Sequence, residues 1–398
     1  MDLLHKFLNI VLLPITLTVL LLFMLPFLFL KFLWSLKRSI YREYVAGKVI
    51  LITGASSGIG EYVAYEYAKR GARLALVARR EDCLRAVADR ARKLGSPDVV
   101  VVRADVSKVE ECKQFVDEIV NYFGRLDHLV NNAGVVQVRL FEEFTQFSDI
   151  ASVMDINFWG SVYSTHCAVP HLRKSKGKIV VIASTAAWLG TPRLSFYNAS
   201  KAALISFFET LRTEFGQDIG ITIVTPGMVE SEMTQGELFS EVEANWIPTE
   251  TTEGCAKAIL DSTCSGDMYL TEPSWMKAGF WVKTFCPEAS KAALISFFET
   301  LRTEFGQDIG ITIVNPRVIE SEMTQGDYLS EIQADWFPTE TTEGCAKAIL
   351  DSACNGDTYL TEPSWMKAGF WVKTLCPEVF ERCLHSLLVS RPRSSKKD

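Results

Sequence analysis

Val49-Ile50-Leu51-Ile52-Thr53-Gly54-Ala55-Ser56-Ser57-Gly58-Ile59-Gly60 decides the fold. A short run rich in β-branched residues predicts a buried strand. The glycines that follow, spaced G-x-x-x-G-x-G, let the backbone turn tightly and approach a ligand closely. A helical stretch, Glu61–Arg70, comes next, and its N-terminus presents free N–H groups and partial positive charge. Strand, glycine turn and helix N-terminus together suit a pyrophosphate. Gly54, Ser56, Ser57, Gly58, Ile59 and Gly60 are therefore expected to hold a dinucleotide.

Outward from that turn, apolar runs alternate with helix-length segments. Strands are expected at Leu74–Ala78, Val99–Val102, His128–Asn131, Lys178–Ala183 and Ile221–Val224, and helices at Glu81–Leu94, Lys108–Phe123 and Lys201–Phe215. This βα alternation implies an α/β fold, a Rossmann-type doubly wound parallel sheet with helices on both faces.

The 398 residues carry a net charge of −7, and 48% of them are apolar, which argues against a disordered chain and against a nucleic-acid partner. The ten cysteines form no CxxC pair and read as free thiols of a reducing compartment. No metal site is expected.

Phe7–Leu30 holds 24 consecutive residues without a formal charge. As a helix it would rise about 36 Å, enough for a hydrocarbon core of about 30 Å. No small-residue cleavage site follows, so the run reads as a permanent signal-anchor. Lys31, Lys37, Arg38, Arg42 and Lys48 follow it against His5 and Lys6 before it, which places the rest of the chain in the cytosol. Pro14 and Pro26 break the helical ladder, so a straight span and a bent hairpin both stand.

The end of the second strand reads Leu76-Val77-Ala78-Arg79-Arg80. An acidic residue there would bind a ribose 2′-hydroxyl; arginine accommodates a 2′-phosphate. Arg79 and Arg80 thus point to NADP(H), with a solvated charged turn as the alternative.

Tyr197-Asn198-Ala199-Ser200-Lys201 puts a phenol and an ammonium four residues apart, on one helix face. The ammonium is expected to lower the phenol's pKa and let it exchange a proton with a substrate oxygen. The same spacing at Tyr44/Lys48 lies in the linker, and at Tyr65/Lys69 it reads as surface. Only Tyr197 follows a strand ending in a serine, Ser184, whose hydroxyl can orient a substrate oxygen.

Thr53–Gly60, Asn131-Asn132-Ala133-Gly134, Ser184, Tyr197/Lys201 and Pro226-Gly227, in this order and spacing, resemble the short-chain dehydrogenase/reductase family over Gly47 to Glu288. The resemblance implies that Tyr197 is the acid/base, that Ser184 orients the substrate and that Lys201 holds the nicotinamide ribose. It implies that Asn157 completes a proton relay, with a capping or core-polar asparagine as the alternative. Asp105 and Val106 would contact the adenine, and Asn132, Ala133, Gly134, Pro226 and Gly227 would line the cofactor cleft.

Asn157–Tyr163, Ser195–Lys201, Glu272-Pro273-Ser274-Trp275 and the proline-containing apolar N-terminus further resemble the plant 11-beta-hydroxysteroid dehydrogenase-like group, the steroleosins. That resemblance implies a hydrophobic, sterol-like substrate and the surface of an oil body (lipid droplet) or the endoplasmic reticulum membrane. Members of the wider family commonly form dimers and tetramers, so a homodimer and a tetramer both stand by fold-level analogy. Another lipid ketone as substrate, and a structural droplet protein with a vestigial site, stand as alternatives. Trp246, Trp275, Met276, Phe280 and Trp281 read equally as an apolar lid and as core or membrane-facing residues.

Residues 199–288 recur at 289–378 without a gap, with 75 of the 90 positions identical. The second copy has Lys291 for Lys201 but Pro287 for Tyr197, and Arg317 for Gly227. One active site is therefore expected, built from the first copy, with the second as an appended α/β lobe. The expected divisions are 1–46, anchor and basic linker; 47–288, NADP-binding domain; 289–378, partial duplicate; and 379–398, tail.

Overall fold

The computed structural model describes residues 42–145, 147–234, 248–276, 293–305, 311–316, 341–357, 359–362, 372–373 and 377–384, with six single positions between 11 and 29. The expected anchor lies almost wholly outside the described residues, as do Trp246, Phe280, Trp281 and most of the tail. Among the described residues no helix is long and apolar enough to cross a membrane.

The larger compact unit runs over Lys37–Phe285 and takes in Ala289–Gly306. Its elements are β1 (Val49–Thr53), α1 (Gly58–Lys69), β2 (Arg73–Ala78), α2 (Glu81–Leu94), β3 (Val99–Arg103), α3 (Val109–Phe123) and β4 (His128–Asn131). There follow α4 (Phe147–Met154), a wide π-helical turn (Asp155–Trp159), α5 (Gly160–Ser175), β5 (Lys178–Ile182), α6 (Ser195–Phe215), β6 (Gly220–Pro226), α7 (Thr252–Ser265), β7 (Tyr269–Glu272) and α8 (Ala293–Phe305). The strands form one sheet, ordered β3-β2-β1-β4-β5-β6-β7, and every pairing is parallel. The six expected strands are present with their boundaries moved by a few residues at most. The seventh, β7, and the helices α4, α5 and α7 add to the expectation.

The continuous apolar character of β1 follows from burial on both faces. Ile50 and Ile52 pack with Val63 and Tyr67 of α1, Leu84 of α2 and Ile259 of α7. Val49 and Leu51 point the other way, into Phe115 and Ile119 of α3, Leu172 of α5 and Phe208 of α6. Strand order reverses between β1 and β4, where the chain leaves β1 toward β2 on one side and returns to β4 on the other. In open parallel sheets this switch point opens a crevice at the carboxyl ends of the strands.

The domain reaches back before Gly47. Val45 is buried in the core, and the Glu43 amide donates to the Cys264 carbonyl at 3.0 Å. The Glu43 carboxylate pairs with Lys178 Nζ at 2.5 Å, with His128 Nε2 at 3.2 Å and with Lys48. His128 Nδ1 in turn meets the Tyr67 hydroxyl at 2.9 Å. Burial would raise the Glu43 carboxyl, but the hydrogen bond and charge of His128, with the two lysines, outweigh it and hold it well below the usual carboxylate range. His128, fully buried, is pushed down by desolvation.

The elements after residue 307 belong to a second unit. There β8 (Ile313–Pro316), α9 (Thr342–Asn355) and β9 (Tyr359–Glu362) form a βαβ unit, with α10 (Pro377–Leu384) after it. Its register, Ile313 opposite Tyr359, repeats that of Ile223 opposite Tyr269 ninety residues earlier. β8 pairs with β9, and β5 keeps β6 of the first copy as its neighbour.

Glu43→Gln should cost about 2 kcal/mol at pH 7, the range for hydrogen bonds to charged groups. A carboxylate with a depressed pKa contributes stability above its unfolded value, and that contribution is lost as pH falls. The wild-type chain should therefore lose stability steeply below about pH 4.5, and the variant less steeply. Urea unfolding across pH 3–8 measures both slopes.

Candidate active site

At the carboxyl ends of β1, β2, β4, β5 and β6 lies a cleft of about 650 Å³. Gly54, Ser56, Ser57, Gly58, Ile59, Arg79, Arg80, Asp105, Val106, Asn132, Ala133, Gly134, Ser184, Tyr197, Lys201, Pro226 and Gly227 all line it. Of the expected site residues, only Gly60 and Asn157 do not, and both stand behind the wall.

Gly54 adopts φ +66°, and a Cβ there would fall 2.7 Å from Ala133 Cα. Both the conformation and the space demand glycine. The two loops are stitched together around it. Thr53 Oγ1 accepts from the Asn132 and Ala133 amides at 3.1 and 3.2 Å, and donates to the Val130 carbonyl at 3.3 Å. Asn132 Nδ2 donates to the Thr53 and Gly54 carbonyls at 3.0 Å each. A Cβ on Gly60 would stand 2.4 Å from that same amide nitrogen. Gly60 thus lets α1 begin hard against Asn132. Thr53 entered the expectation only as the start of the motif, and the structure makes it the hub that joins the two loops.

The residues fit a dinucleotide. The cradle at Gly54 is one that a side chain would fill, and the N-terminus of α1 faces the cleft. At its rim Arg80 donates to Ser57 Oγ at 2.5 Å and to Ser56 Oγ at 3.3 Å. Its guanidinium also meets Glu232 Oε2 at 3.1 Å. Hydrogen bonds from Arg80 and Ser57 hold the Glu232 carboxyl below its usual range. Sequence spacing offered no signal for Glu232, which sits 152 residues from Arg80. Asp105 Oδ1 accepts from the Ser107 amide and hydroxyl at 3.0 and 2.8 Å, which shapes the turn carrying Val106.

Ser184 ends the β5 segment and caps the short turn Thr185–Ala187, accepting from the Ala186 amide at 3.1 Å. Tyr197 and Lys201 lie in the first turns of α6. Lys201 Nζ donates to the Ile182 carbonyl at 2.9 Å and stands 5.7 Å from the centre of the Tyr197 ring. Asn157, in the π-helical turn, is fully buried. Its Oδ1 accepts from the Val135 amide at 2.8 Å, and its Nδ2 donates to the Val135 carbonyl at 3.0 Å and to Ser200 Oγ at 2.9 Å. Asn157 Oδ1 and Lys201 Nζ both close on Gly134, at 3.3 and 3.4 Å from where its Cβ would be.

Tyr197 packs with Val136, Val138, Leu194 and Met228. Burial raises its phenol, and a hydrogen bond with Ser184 opposes the rise. Burial lowers the Lys201 ammonium to about 8. The expectation of a phenol depressed by its lysine is therefore corrected. Desolvation dominates, and the ammonium is held over the ring by the Ile182 carbonyl. What the lysine contributes is an ammonium poised to lose or keep its charge near neutral pH.

Two further expectations change. Tyr65 is buried, not surface, and its hydroxyl donates to Glu61 Oε1 at 2.7 Å. Lys69 does stay near the surface, paired with Glu66 and Glu253. Among the five apolar candidates for a lid, Met276 lines the cleft, and its sulfur would stand 2.0 Å from a Cβ on Gly227. Trp275 is exposed and lines no part of it.

Residues 48–240 match the family model described as short chain dehydrogenase. Over 299 residues the chain is 55% identical to "11-beta-hydroxysteroid dehydrogenase A" of Sesamum indicum, an alignment covering 72% of this chain and 86% of that one. The chain belongs to the short-chain dehydrogenase/reductase family. It is also 52% identical over 291 residues to "11-beta-hydroxysteroid dehydrogenase-like 4A" of Arabidopsis thaliana, covering 72% of this chain and 97% of the relative. A solved short-chain dehydrogenase/reductase from Burkholderia phymatum, in complex with NAD, superposes with a TM-score of 0.56 at 26% identity, over 60% of this chain and 94% of that one. As a member of this family the chain is an oxidoreductase, similar to hydroxysteroid dehydrogenases and built for a nicotinamide dinucleotide.

Lys201→Met should raise Tm, because it removes a buried ammonium with one hydrogen bond; each kcal/mol gained is worth roughly 2–4 °C in a domain of this size. A lysine whose folded pKa is lowered binds fewer protons folded than unfolded between about pH 8 and its unfolded value, so wild-type stability rises there with pH. The gap between variant and wild type should close over that window. Calorimetry at pH 7, 8.5 and 9.5 measures it.

Proposed function

We propose that the chain interconverts a hydroxyl and a keto group on a hydrophobic, sterol-like substrate with NADP(H). The observation that carries this is that Ser184, Tyr197 and Lys201 line one cleft, with Lys201 Nζ 5.7 Å from the centre of the Tyr197 ring. When bound, the nicotinamide supplies or accepts the hydride. Tyr197 gives a proton to the substrate oxygen in reduction and takes it back in oxidation. Ser184, with its own oxygen fixed by the Ala186 amide, orients that oxygen. A buried Lys201 favours the phenolate whenever Tyr197 has given up its proton. Asn157 ties Val135, in the segment after β4, to Ser200 and so keeps the lysine's surroundings in place.

Arg80 supports the phosphorylated cofactor. Its planar fork suits a 2′-phosphate, and no acidic residue ends β2. Arg79 stands beside it on the cleft rim. Apolar side chains contribute much of the cleft wall, among them Leu189, Leu194, Val136, Met228, Met233 and Met276. Such walls reward a substrate with a large apolar body and few polar groups, which favours a sterol over a small alcohol. The relatives' names point to the same class. With the uncharged run Phe7–Leu30 ahead of it, we further place the enzyme on the endoplasmic reticulum or oil-body surface, with its catalytic domain in the cytosol.

Tyr197→Phe should lower kcat by about 100-fold or more, the usual share of a positioned acid/base, while NADPH still binds by fluorescence titration. Unchanged turnover of steroid alcohols and ketones would reject the mechanism. Arg80→Ala should weaken NADPH on the order of tenfold, about 1.4 kcal/mol, and leave NADH nearly unchanged. Equal losses for both cofactors would remove the case for the phosphate.

A further inference from the structure

The helix α8 carries the sequence Ala-Leu-Ile-Ser-Phe-Phe-Glu-Thr-Leu-Arg-Thr-Glu-Phe, identical to Ala203–Phe215 of α6. In the first copy this sequence continues into β6. In the second copy it is parted from β8: α8 belongs to the larger unit, and β8, α9 and β9 belong to the other. Within the larger unit, α8 packs along α6, the helix it duplicates.

The contact is built from specific pairs. Asn198 Nδ2 donates to Thr300 Oγ1 at 2.9 Å. The Glu304 carboxylate accepts from the Arg193 amide at 2.8 Å and from the Phe141 amide at 3.1 Å. Phe297 packs against Phe141 and Phe196, with ring centres 5.8 and 5.2 Å apart. Thr300 is fully buried and Leu301 nearly so. Their duplicates in α6, Thr210 and Leu211, are exposed and half-buried.

The register carries the inference. Thr300 is the copy of Thr210, and Glu304 is the copy of Glu214. Asn198 therefore meets a copy of a residue twelve positions further along its own helix, and the midpoint between positions 198 and 210 is Leu204. Arg193 meets a copy of Glu214, and that midpoint falls at the same place to within one residue. By these two hydrogen-bonded pairs the segment from Arg193 to Asn198 and α8 run in opposite directions about a centre near Leu204, and the Phe196–Phe297 ring pair centres two to three residues earlier. An antiparallel pairing of identical sequences about one centre is the pairing two copies of α6 would make across a two-fold axis, where each residue contact is reciprocated.

We propose that α8 takes, within one chain, the place of a second copy's α6, so that this face is already filled and the chain does not dimerise through it. The partner the face fits is a second copy of this chain, and the duplication supplies a piece of that partner in cis. A pairing between two copies at this face is replaced by an internal pairing. The pairing is one-sided. The position that would answer Asn198 in the second copy is Glu288, so α8 brings the C-terminal half of the interface without the N-terminal half.

The test uses the full-length chain in mild detergent at micromolar concentration, its protein mass read by light scattering with refractive-index and absorbance detection. The wild type should show the monomer mass of 44.6 kDa. Thr300→Arg with Leu301→Asp should evict α8 and double the mass, and adding Thr210→Arg to that chain should restore the monomer. A wild-type dimer that Thr210→Arg splits would overturn the proposal. So would a Thr300/Leu301 variant that stays monomeric while still binding NADPH. A further variant guards against misfolding of that pair: Asn198→Cys with Thr300→Cys, in a chain with the exposed Cys83, Cys354 and Cys383 changed to Ser. Under mild oxidation it should give an intrachain cross-link, seen as a faster-migrating monomer on a non-reducing gel. An interchain product, or none, would overturn the proposal.

Discussion

The approach of two backbones at Gly54 and Ala133 is the constraint on which the rest of the site depends. A side chain at residue 54 would collide with the Ala133 backbone. Because there is none, the turn after β1 and the turn after β4 lie against each other. Thr53 and Asn132 convert that closeness into four hydrogen bonds between the two turns. One consequence is that α1 starts at a fixed height above the sheet, with its N–H groups facing the cleft. Another is that Gly134 is carried to Asn157 and Lys201 on the reacting side. Cofactor cradle and proton-transfer group are therefore two ends of one stitched junction at the strand-order reversal, and their separation is set by backbone geometry before any ligand arrives.

On the reacting side, burial sets the chemistry and charges for it in stability. A phenol and an ammonium four residues apart on a solvated helix would keep ordinary acidities. Here apolar packing raises one and lowers the other toward neutrality. Burial works against the charged form of each. Among the described residues the hydrogen-bond partner of Lys201 Nζ is the Ile182 carbonyl, at 2.9 Å. Active sites commonly hold such unfavourable groups in place with the stability of the surrounding fold. The core on both faces of the sheet and the Glu43–His128–Lys178 cluster at its opposite end provide that support.

Much of the fold was legible because parallel strands are buried on both faces and so read as unbroken β-branched runs. Val49–Thr53 and Val99–Arg103 are of that kind. Tyr269–Glu272 is not, since it closes the sheet as an edge, is short, and buries fully only Leu270. The helix Gly160–Ser175 was equally hard to see, with a glycine at its start and Pro170 inside it. Among site residues, those in local motifs are legible from spacing together with the neighbouring strand or helix: the glycine turn, Ser184 and the Tyr197/Lys201 pair, which line one cleft. Glu232 and the Thr53 hub were invisible for a physical reason. Their roles arise from contacts between segments 152 and about 80 residues apart, which no local pattern encodes. The lysine's effect on the phenol was misjudged for a related reason. Spacing shows that two groups are near, and the sign of a pKa shift depends on what else excludes water.

The duplicated segment separates what local sequence controls from what tertiary context controls. In both copies the strand, helix and strand reform with the same register, and the threonine caps recur: Thr251 accepts from the Gly254 amide at 3.1 Å, and Thr341 from the Gly344 amide at 3.1 Å. That much is written in the ninety residues themselves. The helix preceding the strand behaves otherwise. In the first copy Phe208 of α6 is buried against the sheet with Phe115 and Leu172, and the helix is an integral layer. The second copy has no such sheet to cover, since it lacks the first five strands. An amphipathic helix without its own sheet must bury its apolar stripe elsewhere, and α8 does so on its own duplicate, with Thr300 and Leu301 enclosed. The same thirteen residues thus use one face to cover a sheet in α6 and enclose Thr300 and Leu301 against a helix in α8. Which use is realised depends on what the preceding chain has already built.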